Sequence, residues 1–179
     1  MKKSSTFTIE DDSSLISWMN KSDLNSMILI FDVHLYWSGE CEILTPCFDQ
    51  MYIQYENAEE RFVCLSLEGP KFAETFSSLV TLSDSCLTTL EDIIGGGGKN
   101  ESNGASSSSD NKTSTDIKER MKYLLQKKGK GCAPLFLAVK DRKVLTIVQG
   151  ANYPALNNIV KEHIPPVSDD DEKVEEPTD

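Results

Sequence analysis

The sequence predicts an α/β domain, a mixed central sheet with helices on both faces. Three observations predict it. Apolar runs of strand length, "SMILIFDVHLYW" and "RFVCLSLE", alternate with stretches whose apolar residues recur at helical spacing. Two later runs, "PLFLAV" and "KVLTIV", are separated only by "KDR" and read as a β-hairpin, so part of the sheet is antiparallel. The order β-α-β-α-β, then α-β-β-α after an insertion, gives a three-layer sandwich.

The elements follow in turn. "TFTI" at 6–9 reads as a short strand. "DDSSLISWMN" has an Asp/Ser start suited to capping, and Leu15, Ile16 and Met19 at helical spacing. The run 26–37 opens with continuous apolar residues, as a strand buried on both faces does. Residues 41–60 read as one helix with stripes Ile43–Cys47–Met51 and Leu44–Phe48–Tyr52, kinked at Pro46. Residues 61–68 have good strand composition. The stretch 69–94 has room for one or two short helices. "DIKERMKYLLQKKG" reads as a helix with Asp116 and Glu119 at its start and Ile117, Met121, Leu124 and Leu125 inward. Gly129 ends it. The last helix is "ANYPALNNIVKEHI", with Asn152 as cap, Pro154 in the first turn, and Leu156, Ile159 and Val160 inward. Pro165 and Pro166 stop it.

The 179 residues suit one domain, 1–164, interrupted by an insertion over 70–115. Its part 95–115 is Gly/Ser/Asn low complexity, which cannot bury enough apolar surface to offset its ordering entropy, so a disordered loop is expected. Residues 165–179 read as a disordered acidic tail. From residue 169 the tail carries seven acids and one lysine, −6 of the net −11, leaving −5 for the rest.

Composition excludes several classes. There is no basic stripe to meet phosphates, so nucleic acid is not an expected partner. There is no long apolar run and no apolar signal-like segment at the N-terminus, so no membrane role is expected and the chain reads as cytosolic. The five cysteines, Cys41, Cys47, Cys64, Cys86 and Cys132, are odd in number, irregular in spacing and without a C-x-x-C. Free thiols fit this better than a disulfide framework. His34 and His163 have no cysteine at zinc-finger spacing, so neither metal nor cofactor is expected.

The segment that bears on chemistry is "WSGEC", residues 37–41, directly after the central strand. Trp37, Gly39 and Cys41 hold the places of a W-x-G-x-C frame. With the element order, this resembles the thioredoxin fold, whose usual motif is W-C-G-P-C. The match covers roughly 6–68 and 116–164. The resemblance implies that Asp32 is the buried carboxylate that assists proton transfer, that Pro46 is the helix-kinking proline, and that Pro134 is the cis-proline packed against the active site. It also implies that Ser38 and Glu40 replace the attacking cysteine and the motif proline.

A serine hydroxyl is not ionised near neutral pH and does not attack a disulfide usefully. The sequence therefore predicts no dithiol–disulfide turnover and no catalytic residue. Glu40 either raises the pKa of a neighbouring thiol or is simply a good first-turn helix residue. Asp32 is either a working proton relay or a relic. His34 shares the face of Asp32 and Tyr36 and reads as packing. Cys132, two residues before Pro134, is a candidate reactive thiol, able to form a regulatory disulfide with Cys41 or a mixed disulfide with a partner. Cys47, Cys64 and Cys86 read as buried apolar side chains.

A narrower resemblance rests on "DVHLYWSGECEILTPCFDQMYIQYENAEERF" and "KGKGCAPLFLAVKDRKVLTIVQGAN". Both are similar to the thioredoxin-type light chains of axonemal outer-arm dynein, and to related modules of ciliary and sperm proteins that carry kinase domains. This chain has no kinase domain, which favours the free-standing light chain. The resemblance implies a non-catalytic adaptor that docks on a dynein heavy-chain tail, with other axonemal dynein subunits as further partners, in the ciliary axoneme or cytoplasm. The alternatives are a monothiol redox sensor or oxidoreductase acting through Cys41 and/or Cys132, or a cytosolic thioredoxin-like protein with other clients.

Overall fold

The structure, a computed structural model, describes residues 6–95, 114–127 and 133–167. Six strands form one sheet in the order β1-β3-β2-β5-β6-β4. They are β1 (Thr6–Thr8), β2 (Ile28–His34), β3 (Phe62–Glu68), β4 (Thr81–Leu82), β5 (Leu135–Lys140) and β6 (Lys143–Gln149). Strands β1, β3 and β2 run parallel, β5 pairs antiparallel with β2 and with β6, and β4 runs parallel to β6. This is the thioredoxin fold: a mixed sheet, with β2 at its centre.

Two cores follow from the alternation of β2. Leu29, Phe31 and Val33 point to one face and pack with Leu15 and Met19 of α1 (Asp12–Asn25), Phe72 and Phe76 of α4 (Gly69–Leu79), Leu90 of α5 (Asp84–Gly95) and Leu124 of α6 (Ser114–Lys127). Ile28 and Ile30 point to the other, against Phe48 and Met51 of α2 (Thr45–Gln54), Ala58 of α3 (Ala58–Arg61), and Leu156 and Val160 of α7 (Tyr153–His163). All of β2 but His34 is buried, which explains its near-continuous apolar sequence.

Local chemistry sets the ends. Asp11 and Ser14 make a reciprocal capping box at α1. Asn152 caps α7 by accepting from the Ala155 N–H at 3.2 Å. The β5–β6 hairpin turns through Asp141 and Arg142, both at positive φ, the geometry a two-residue hairpin asks for. Arg142 is then held by Asp23 at 2.5 Å and Asn20 at 2.6 Å, which fastens the turn to α1.

Several expectations are corrected. The helix read over 41–60 is three pieces: a 3-10 turn at Glu42–Leu44, then α2, then α3. Asn57, at φ 48°, breaks it before α3. Pro46 lies in the first turn of α2, where its missing N–H costs nothing, and so does not kink a helix interior. Ile43 and Ile16 face outward, because the buried positions are taken by Leu44, Phe48 and Met51, and by Leu15 and Met19. The interruption of the domain is narrower than 70–115. Helix α4 supplies Phe72, Ala73 and Phe76 to the core, and β4 joins the sheet edge. Residues 96–113, most of the low-complexity stretch, lie outside the described residues, as do Cys132 and the acidic tail from 168 on. Residues 165–167, counted with that tail, are held: Arg61 Nε donates to the Pro165 carbonyl at 2.7 Å.

Helix α4 approaches α6 closely at Gly69. A Cβ there would lie 2.4 Å from the Leu125 carbonyl oxygen and 2.9 Å from Val33. The first neighbour is backbone and cannot swing aside. Gly69→Ala should therefore cost roughly 1–3 kcal/mol of stability. Chemical denaturation checks this, and an unchanged midpoint would mean that α4 does not seat as described.

Candidate functional site

The motif turn leaves the C-terminal end of β2. Residues 35–41 form neither helix nor strand. The turn closes on itself: the Ser38 and Gly39 N–H groups donate to the Leu35 carbonyl at 2.9 and 3.2 Å. The Ser38 hydroxyl folds back onto the same residue, accepting from the Leu35 N–H at 3.1 Å and lying 3.2 Å from its carbonyl. The side chain at the attacking position thus behaves as a turn-forming serine. Gly39 takes φ 64°, the left-handed region that favours glycine. Glu40 is exposed, and it precedes a 3-10 turn rather than opening α2.

Asp32 is 5% exposed and on the α2/α7 face of β2. Its Oδ2 accepts from the Cys41 backbone N–H at 2.5 Å. The carboxylate therefore grips the backbone of Cys41. Cys41 itself is half-buried against the cluster of Phe48 and Phe136. His34 is half-buried at the strand end, its Nδ1 3.3 Å from the Leu35 carbonyl.

Pro134 precedes β5, beside the turn. The described residues contain no cis peptide bond, so the bond entering Pro134 is trans, against the expectation from resemblance. Trans is the ordinary isomer by about 0.5–1 kcal/mol. What fixes Pro134 is its carbonyl, which accepts from the Gly150 N–H at 2.7 Å and extends the β5–β6 pairing.

Asp32, Ser38, Glu40, Cys41, Ile43 and Pro134 line one open groove of about 470 Å³. Sequence reasoning grouped all of these but Ile43, which it placed in the core. Ala151, from the turn before α7, completes the wall. Neither left a chemical signal in the sequence. Tyr36 and Trp37, in the turn, are 80% and 58% exposed and Ile43 is 77% exposed. A larger cleft of about 520 Å³ lies away from the motif, between Lys21, Asn57, Arg61 and Pro165, and holds none of the motif residues. No group of His, Cys, Asp and Glu among the described residues is placed to hold a metal, and no described helix is long and apolar enough to cross a membrane.

Cys47, expected to be buried, is half-buried, whereas Cys64 and Cys86 are buried and inert in character. Burial pushes the Cys64 thiol well above its ordinary range, and the nearby Asp32 carboxylate pushes it the same way. Cys86 is raised by burial and donates to the Val144 carbonyl at 3.4 Å.

No protein-family model matches the chain, and no curated protein matches it. Among solved structures, the crystal structure of the thioredoxin NaTrxh from Nicotiana alata aligns with a TM-score of 0.47 and 13% sequence identity, over 92% of this chain and 97% of that one.

A thiol whose folded-state pKa is raised keeps its proton longer when folded. Its contribution to stability is complete below the ordinary thiol range and is lost as pH rises above it. Tyr52, raised chiefly by burial, acts in the same direction at higher pH. Stability should be flat from neutral to about pH 8 and fall beyond about pH 9. Cys64→Val should lessen the fall above about pH 9 and leave the part due to Cys86; an equal fall in both proteins would refute the assignment to Cys64.

Proposed function

We propose that this chain is a non-catalytic thioredoxin-like adaptor, a light chain of an axonemal outer-arm dynein, and that its motif groove docks a segment of a dynein heavy-chain tail. The observation that carries the non-catalytic part is Ser38. The attacking thiol is replaced by a hydroxyl occupied with the Leu35 backbone. What remains at the site is a groove lined in part by the exposed Ile43, with exposed Tyr36 and Trp37 in the motif turn. Grooves beside a sheet bind extended peptides through backbone pairing and side-chain pockets, which needs no thiolate. The choice of dynein rests on the likeness of residues 32–62 and 128–152 to its thioredoxin-type light chains. In this reading the protein works in the ciliary axoneme or cytoplasm, with heavy chain and further arm subunits as partners.

One observation favours a second reading. Cys41 is half-buried and lines the groove, so a monothiol sensor acting through Cys41, with or without Cys132, would have access to a client disulfide, forming a mixed disulfide as the client's second sulfur leaves as a thiolate.

Two experiments decide. Sedimentation of a salt extract of isolated cilia should place this chain with dynein heavy chains; migration only as a small free protein would end the light-chain reading. In a disulfide-reduction assay with insulin and dithiothreitol, the protein should stay at the uncatalysed rate and Ser38→Cys should rise above it. Turnover by the unmodified protein, abolished by Cys41→Ser, would transfer the function to the monothiol reading.

A further inference from the structure

Every residue of β2 before His34 is buried, and Asp32 is the one carboxylate among them. A buried carboxylate costs several kcal/mol unless it is well bonded. Its neighbours in the sheet, Ser66 on β3 and Phe136 on β5, bring no opposite charge. Its resolved bond runs nine residues along the chain, from Oδ2 to the Cys41 N–H at 2.5 Å. That bond differs in kind from the others around the turn. Those of Leu35, Ser38 and Gly39 tie the turn to itself. The Asp32–Cys41 bond ties the turn to the sheet, at the point where the chain enters the 3-10 turn and then α2.

We propose that Asp32 is the positioning residue of the groove: its carboxylate clamps the Cys41 backbone to β2 and so holds the 35–41 turn in the shape that forms one wall. In this role Asp32 is neither a proton relay nor a relic. A relay needs a thiol to deprotonate, but the Asp32 contact at Cys41 is with backbone nitrogen, and the Cys64 thiol beside it is held protonated. A relic would leave the local structure indifferent to its removal. At 2.5 Å the bond is short for an N–H donor to an oxygen acceptor. A wall fixed before binding spares the ordering cost that a mobile turn would pay on docking a peptide. That last consequence rests on the docking reading above; the clamp does not.

The test is amide hydrogen exchange by NMR on the full chain. Asp32→Ala, with Asp32→Val as a second variant that keeps the strand apolar and filled, removes the acceptor. Asp32→Asn keeps one. The Cys41 amide should exchange about tenfold faster or more in the Ala and Val variants, relative to the β2 amides Leu29 and Phe31. Asp32→Asn should recover most of that protection. Equal exchange at Cys41 in all four proteins would overturn the clamp. So would acceleration of Cys41 and the β2 amides by one common factor, the mark of general destabilisation. Heavy-chain co-sedimentation of the same variants judges the docking reading separately. A loosened turn with unchanged co-sedimentation would retain the clamp and remove the groove as the docking surface.

Discussion

Strand β2 lies between β3 and β5, and its side chains enter two cores at once. That two-sided burial orders the rest of the molecule. Each face of β2 demands an apolar partner, and the helices divide accordingly: α1, α4, α5 and α6 on one side, α2, α3 and α7 on the other. It also explains why one carboxylate on this strand matters so much. A polar group this deeply buried needs a hydrogen-bond partner, and one oxygen of Asp32 finds the backbone of Cys41.

From this constraint the site follows. The chain leaves the end of β2, folds over Leu35 in a turn closed by Ser38, and is returned to the sheet by Asp32. Opposite, β5 begins at Pro134, whose carbonyl is fixed by Gly150. The groove lies between these two anchors. Its lining includes the buried acid Asp32 and the exposed Ile43. Such a surface has the means to hold a chain segment. The thiolate that a thioredoxin would use is absent from position 38, which carries a serine.

Much of this was legible from residue types and spacing. The strand at 28–34 announced itself by an apolar run too dense for a surface helix. The hairpin announced itself by two strand-like runs with Asp141 and Arg142 between them, and the cap of α7 by Asn152. Trp37, Ser38, Gly39, Glu40 and Cys41 were recognisable as a unit because they are consecutive. Residues 41–60 read as one helix because Tyr55 falls four beyond Met51, on the stripe Ile43–Cys47–Met51, and periodicity does not report a left-handed residue such as Asn57. The stretch 69–79 was assigned to an insertion because its neighbours toward 95 are low in complexity. Its core role rests on Phe72 and Phe76, buried in the same cluster as Phe31, with Phe31 and Phe76 edge to face at 5.1 Å.

The sequence by itself determined the alternation of elements, the mixed sheet, the acidic balance and the serine at position 38, since each is a property of residue type at local spacing. Tertiary structure alone decided the partner of Asp32, the exposure of Ile43, the trans bond before Pro134 and the seating of Gly69 against Leu125. Each of these depends on atoms brought together from distant parts of the chain, or on which of two locally acceptable conformations the packing selects. No pattern along the chain encodes that choice.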